Sequence, residues 1–293
     1  MKGLARDLLT PADNRAAVEL ASGGFTITAS PRREIMAIKT TPAHPRTQEL
    51  VGVRAGGASR EALKAIMGDI VGTPLFQILD DFAGASLVAG WIWSEWMDDW
   101  MGTARRNGLQ SSAGRGGNME NICTGFATGA TSLAARGRSN PDVQSRTEVG
   151  PLENIDDPAG WHAMPLQSGP QMRRARRIDI HRDSGLLRVD IGFQDSGSNP
   201  RGTRTAIHEY RVHAEIDPAT MALVSIQALP LILPFRECPG ASVKIGRLVG
   251  QKVGTFRDAV LATLPGTLGC THLNDVLRAL ADVPTLADHL THS

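Results

Sequence analysis

The sequence predicts an α+β protein of two pseudo-symmetric halves, each a β-meander followed by two helices, joined by a Trp-rich insert. The chief reason is that the chain resembles itself. Leu50-Val51-Gly52, Arg60-Glu61-Ala62-Leu63, Thr73-Pro74-Leu75 and Ile78-Leu79 are answered, in the same order and at closely similar spacing, by Leu248-Val249-Gly250, Arg257-Asp258-Ala259-Val260, Thr271-His272-Leu273 and Val276-Leu277. Two copies so far apart imply a pseudo-two-fold pair of domains, because a solenoid needs about three or more short repeats. The length of 293 residues points the same way, since it suits about two domains of roughly 150 residues. The third observation is hydrophobic period, which alternates as in strands early in each copy and turns helical later.

The elements follow in order. In the first half, residues 1–89, residues 1–9 align with the strand around Leu187, Phe25-Thr26-Ile27 with Tyr210-Arg211-Val212, and Ile35-Met36-Ala37-Ile38 with Leu223-Val224-Ser225-Ile226. Nothing in the first copy answers the strand around Ile178, so either the true start lies upstream or a neighbouring element supplies that strand. The insert, residues 90–170, opens on a Trp-rich run and continues into Gly-, Ser- and Arg-rich sequence; residues 108–117 and 136–150 read as surface loops. The second half, residues 171–293, opens with a hairpin turning at Asp183-Ser184-Gly185. A loop over 195–204, strands over 205–216 and 222–228, and a turn at Asp217-Pro218 come next. Thr255 is the expected N-cap of a helix with Phe256, Val260, Leu261 and Leu264 on one face, and Thr271 that of a second helix through Ala281.

Composition narrows the function. The 31 basic and 30 acidic residues nearly cancel, so no global field draws the chain to nucleic acid or an anionic membrane. Only Lys2, Lys39, Lys64, Lys244 and Lys252 are lysines, a bias that reflects genome composition more simply than function. The longest apolar runs, 82–93 and 221–235, are interrupted short of the roughly 20 residues a membrane span needs. With no signal peptide apparent, Cys123, Cys238 and Cys270 are expected to be reduced thiols in a cytoplasmic protein. Walker, dinucleotide, nucleophile-elbow and His-Glu-x-x-His patterns are missing, so no cofactor is expected.

The candidate chemistry lies mainly in the second copy. The repeat sets Gly72-Thr73-Pro74 opposite Cys270-Thr271-His272; with Thr271 as N-cap, Cys270 and His272 sit in the positive end of a helix dipole, which favours a thiolate beside a neutral imidazole. Asp275, three residues on, shares the helix face and is placed to orient that imidazole. His208 and Cys238 complete a set of zinc-ligand types, yet none pairs at the spacing of known zinc motifs, and no metal is expected. Trp93, Trp96 and Trp100 recur at i, i+3 and i+7, either as core or as a wall for a bulky apolar ligand. The adjacent carboxylates Asp80 and Asp81 are candidate general acids, and Cys123 reads as a pocket wall or as core.

Several strings together resemble the family catalogued as domain of unknown function 2889: Ala206-Ile207-His208-Glu209-Tyr210, Pro234-Phe235-Arg236-Glu237-Cys238-Pro239, Arg247-Leu248-Val249-Gly250 and Gly269-Cys270-Thr271-His272-Leu273-Asn274-Asp275. Its longer members also resemble this chain at Ala5-Arg6-Asp7-Leu8-Leu9-Thr10, Leu79-Asp80-Asp81-Phe82-Ala83-Gly84 and Ile122-Cys123-Thr124-Gly125-Phe126. The resemblance assigns no activity and points only towards lipid, steroid or terpenoid catabolism. Together the residues lead to an enzyme using acid–base chemistry on a small apolar substrate such as a terpenoid, steroid or acyl compound, as a hydro-lyase (dehydratase) or isomerase. Asp80 or Asp81 is then the acid and Cys270 with His272 the base. Cys270, His272, His208 and Cys238 are expected to converge on a pocket walled by the Trp stripe. The alternatives are a non-catalytic ligand-binding or assembly protein, compatible with a homodimer, and a metal-dependent hydrolase.

Overall fold

The computed structural model of the protein describes residues 1–12, 15–99, 103, 119–134, 147–162, 164 and 168–290. The chain divides into two compact units. One comprises Met1–Leu87, Glu153–His162 and Asp282–Ser293, the other Val88–Leu152 and Ala163–Ala281. The insert thus belongs mostly with the second half, and the last residues of the chain belong with the first.

The first unit is a three-stranded antiparallel sheet, β1 (Lys2–Leu9), β2 (Val18–Ala29) and β3 (Ile35–Thr41), in that spatial order. A 3-10 turn at Thr47–Leu50 leads to α1 (Gly57–Met67) and α2 (Pro74–Val88). Phe25 and Ile27 alternate onto one sheet face and, with Ile35 and Ile38, meet Leu63 and Met67 of α1 and Leu75, Leu79 and Phe82 of α2. Each such side chain contributes roughly 1.5–3 kcal/mol by leaving water. The Thr73 hydroxyl caps α2 by accepting from the Phe76 amide at 3.3 Å.

The second unit carries a four-stranded antiparallel sheet, β4 (Met172–Asp183), β5 (Leu186–Ser198), β6 (Arg204–Ile216) and β7 (Leu223–Ile232), again in sequence order. The β4–β5 turn is where the sequence put it: Ser184 and Gly185 have φ of 52° and 81°, as a two-residue hairpin loop requires. A long 3-10 helix, Cys238–Leu248, leads to α3 (Phe256–Thr263) and α4 (Thr271–Arg278). A last helix, α5 (Val283–His289), belongs to the first unit. The loop expected over 195–204 is shorter than that, because β5 continues to Ser198 with Asp195 paired to His208 and Ser196 to Ala206.

The repeat extends to the backbone hydrogen bonds. Ile35 N donates to Val53 O at 2.9 Å and Gly52 N to Ile35 O at 2.7 Å; Leu223 N donates to Gln251 O at 2.9 Å and Gly250 N to Leu223 O at 2.8 Å. Gly52 and Gly250 adopt φ of 87° and 86°, a left-handed conformation open to glycine without steric cost. The meanders match as β1 to β5, β2 to β6 and β3 to β7, and β4 has no counterpart among the described residues.

The Trp stripe is not one helix. A 3-10 turn, Ala89–Ile92, passes into a single helical turn, Trp93–Trp96, which ends where Met97 becomes extended at φ −141°; Trp100 lies outside the described residues. With α2 these turns make a continuous run, Pro74–Trp96, that is longer than the interrupted stretch read from the sequence. It is the one run among the described residues long and apolar enough to cross a membrane, and 56% of its most apolar window is buried inside the protein. The loop expected over 108–117 also lies outside the described residues, as does most of 136–150. At the end of the latter, Glu148 forms a β-bridge with Thr205 and so is tied to β6.

Candidate active site

Strand register builds the site. Arg174 of β4 is the cross-strand partner of Asp195 on β5, and Asp195 that of His208 on β6. The next row is Arg176, Phe193 and Tyr210. Alternation puts both rows on the buried face. The start of α4 covers that face and contributes His272 and Asp275. Asp195 is fully buried, and Arg174 holds it with two parallel bonds, Nε to Oδ1 at 2.8 Å and NH2 to Oδ2 at 2.9 Å. The same guanidinium reaches Asp275 Oδ2 at 2.7 Å and lies over the Phe193 ring. One arginine therefore ties β5 to α4. Bidentate pairing of this kind fixes orientation as well as charge.

Against this pair lie two imidazoles. His208 and His272 stack with ring centroids 3.5 Å apart and planes 19° from parallel. His208 Nδ1 is 3.7 Å and His272 Nε2 3.9 Å from Asp195 Oδ2, and neither nitrogen has a hydrogen-bond partner among the described residues. Burial holds both rings far below the usual imidazole range, assisted for His208 by its neighbour His272 and for both by the Arg174 charge. Both are neutral at physiological pH. The other nitrogen of His272, Nδ1, faces Thr271 Oγ1 at 3.3 Å and Cys270 Sγ at 4.0 Å.

Cys270 departs from its expected role. α4 starts one residue earlier than expected, so Cys270 itself occupies the N-cap position and Thr271 is helical. Burial raises the Cys270 thiol in spite of the helix start and of the Tyr210 hydroxyl, which donates to Sγ at 3.5 Å. Desolvation outweighs the dipole, and the group is a thiol, not a thiolate. Cys123 and Cys238 are likewise pushed up, to about 11 and about 12, by burial and by Cys270. Both thiols border Gly125: a Cβ built there would lie 2.7 Å from Cys238 Sγ and 3.9 Å from Cys123 Sγ. The Thr124 amide and hydroxyl bond the Gly269 carbonyl at 2.8 and 3.0 Å, joining this segment to the Cys270 turn.

Cys270, His272, His208, Cys238 and Cys123 thus all fall in the second unit around the start of α4. Trp96 lies at the end of β5, where its Nε1 donates to Ser198 O at 2.9 Å. Trp91 and Ile92, not Trp93, cover Gly197 there, and Trp93 is 39% exposed. Asp80 and Asp81 belong to the other unit. Asp80 is buried in α2 with its carboxylate 3.9 Å from Arg60 Nε, and Asp81 accepts from Gln77 Nε2 at 3.4 Å. A cavity of about 430 Å³ lies elsewhere on the four-stranded sheet, lined by His181, Arg188, Asp190, His213 and Glu215 among others, and no candidate residue borders it.

Arg174 and Asp195 were missed from the sequence, and Asp275, read there as an aid to the imidazole, instead anchors Arg174. Asp195 sits in a Ser/Gly/Asn/Pro-rich stretch that reads as loop, and only the run of alternation from Leu187 carried one step further would have kept it in the strand. Arg174 is one of several arginines in β4 and carries no distinguishing signal.

Fold and site together define an α+β protein whose second unit encloses a buried Arg–Asp–His–His centre. Residues 172–286 match the family model described as "Protein of unknown function (DUF2889)". Over that span the chain is similar to this family, whereas the first-half strings that resemble its longer members lie outside the matched residues. Comparison with curated proteins and with solved structures gives no match.

Proposed function

We propose that the chain is an acid–base enzyme, a hydro-lyase or isomerase acting on a small apolar molecule, with the His208–His272 pair as its proton carrier. The observation that supports this reading best is the pair of neutral, stacked imidazoles, each with one buried, unpartnered nitrogen beside the carboxylate of Asp195. With Nδ1–H donating to Thr271 Oγ1, His272 Nε2 is left as a bare base, and Asp195 stabilises the imidazolium that forms when it takes a proton. Like charges in contact prevent both rings from charging together, so the pair carries one proton. That suits removal at one carbon and return at another, or delivery to a leaving hydroxyl. Arg174 acts through Asp195, as a positioning residue. All these groups come from the second unit, so the base is His272 in place of Cys270, and Asp80 and Asp81 are not required.

The test is incubation of the full chain in D2O with panels of hydroxylated terpenoids, steroids and acyl compounds, read by mass spectrometry for solvent deuterium or loss of water. The expected result is turnover of one class that falls about 10²-fold or more in His272→Ala and His208→Ala. No exchange with any class, or exchange that survives both substitutions, would favour the non-catalytic ligand-binding reading.

A metal-dependent hydrolase is the second reading, because ligand atoms of Asp195, His208 and His272 lie within 4.8 Å of one another. The ring geometry weighs against it: the stacked imidazoles hold their in-plane lone pairs in two nearly parallel planes, whereas a metal needs them to meet at one point. Elemental analysis decides. Zinc, iron or manganese near one per chain, lost in His208→Ala, would replace the acid–base reading.

A further inference from the structure

A second cluster lies at the same end of the sheet on the opposite face. Arg173 is the cross-strand partner of Ser196, and Arg204 that of Ser198. Alternation along β4 and β5 turns Arg173 and Ser196 away from the face that carries Arg174 and Asp195. Arg204 donates from Nε to Ser196 Oγ at 3.1 Å and from NH2 to Ser196 O at 2.5 Å, which fixes its guanidinium against β5. The Arg173 side chain makes no hydrogen bond or ion pair with any described residue. Nearby carboxylates are already engaged, Glu148 by Arg201 and Asp195 by Arg174.

Two half-buried guanidiniums therefore adjoin with no counter-charge bonded to them among the described residues. Burial and the neighbouring Arg173 push Arg204 down to about 10, and burial lowers Arg173 as well. Each guanidinium has lost part of its water, and the Arg173 donors have no protein acceptor among the described residues. A pair that repels is destabilising in the absence of an anion, and the planar fork of each side chain fits an oxyanion with two hydrogen bonds.

We propose that Arg173 and Arg204 form an oxyanion-binding site that takes the phosphate or carboxylate group of a small molecule. The site does not depend on the acid–base reading, and its test does not use activity. Calorimetric titration of the full chain with inorganic phosphate, and separately with acetate, at fixed ionic strength against a chloride reference removes general screening from the comparison. Saturable binding of phosphate alone assigns a phosphoryl ligand, of acetate alone a carboxylate, and of both a general oxyanion site. Arg173→Gln is expected to weaken binding about tenfold or more, while its Tm without anion stays level or rises, because repulsion on Arg204 is relieved. Arg182→Gln, at an exposed residue near the other end of β4, should bind as the parent does. The proposal fails if the parent binds neither anion, if Arg173→Gln binds as tightly as the parent, or if Arg173→Gln lowers Tm, which would mark a structural role instead.

Discussion

The two units share one plan but differ at the step where helix meets sheet. In the second unit Phe193 pairs with Tyr210 and, one row on, Asp195 pairs with His208; in the first, Gly3 pairs with Phe25 and Ala5 with Gly23. The helix starts differ in the same sense, with Gly72, Pro74 and Gln77 at the places of Cys270, His272 and Asp275. A Cβ built on Gly23 would lie 2.6 Å from the Leu75 backbone nitrogen. In the first unit, then, the start of α2 closes directly on the sheet, and in the second the imidazole pair and its carboxylate occupy the corresponding place. Thr73 caps its helix, while the Thr271 hydroxyl faces His272. The candidate site thus lies where the second unit keeps helix and sheet apart with side chains and the first brings them together through backbone.

That contrast can be broken in several ways. Removing one member of the buried pair, by Arg174→Ala or Asp195→Ala, leaves the other charge buried, and the expected loss is about 3–5 kcal/mol in urea unfolding. A loss below about 1 kcal/mol would mean that water reaches the pair and that the second unit is not sealed. In the first unit the comparable weak point is contact, not charge: Gly23→Ala should cost about 1–3 kcal/mol because Leu75 backbone must move. A neutral result there would show that the two helix starts have similar room.

The imidazole pair predicts a pH limb. Both rings have folded-state values depressed below the usual 6.5, so between the two values the unfolded chain binds more protons. Stability is therefore full above about pH 6.5 and falls as pH drops, by up to about 1.4 kcal/mol per ring for each pH unit. The double variant His208→Asn with His272→Asn should flatten this limb in thermal melts from pH 8 to 5. An unchanged limb would place the titration elsewhere.

The smallest effect belongs to the first unit. Burial and Asp282 push Asp7 up to about 6, offset in part by His289. With the folded value above the unfolded one, the contribution is present below about pH 4 and lost as pH rises to 6. Asp7→Asn should therefore stabilise the protein at pH 7, by up to about 1 kcal/mol after solvent screening. A destabilised variant would mean that the carboxylate makes a favourable contact that outweighs its burial.

The meanders, the helix pairs and even the missing fourth strand of the first copy were legible because hydrophobic period and turn residues are local signals. Phe25 and Ile27, or Leu187 to Ile191, declare their faces through nearest neighbours alone. The motif around Cys270 and His272 was legible for a related reason, since the repeat shows there a thiol and an imidazole where the other copy has Gly72 and Pro74. The Trp stripe failed because spacing alone cannot say where a helix stops, and the chain becomes extended at Met97.

What the sequence determined by itself was the pair of α+β halves and the half that carries a thiol and an imidazole where the other has Gly72 and Pro74, since both follow from patterns a few residues long. Tertiary structure alone decided that Cys270 is a protonated thiol, that His208 stacks on His272, and that Arg174 and Asp195 hold the centre. Those properties depend on burial and on cross-strand register between segments that are distant in sequence, and desolvation, the largest influence on Cys270, His208 and His272, has no local signature in the chain.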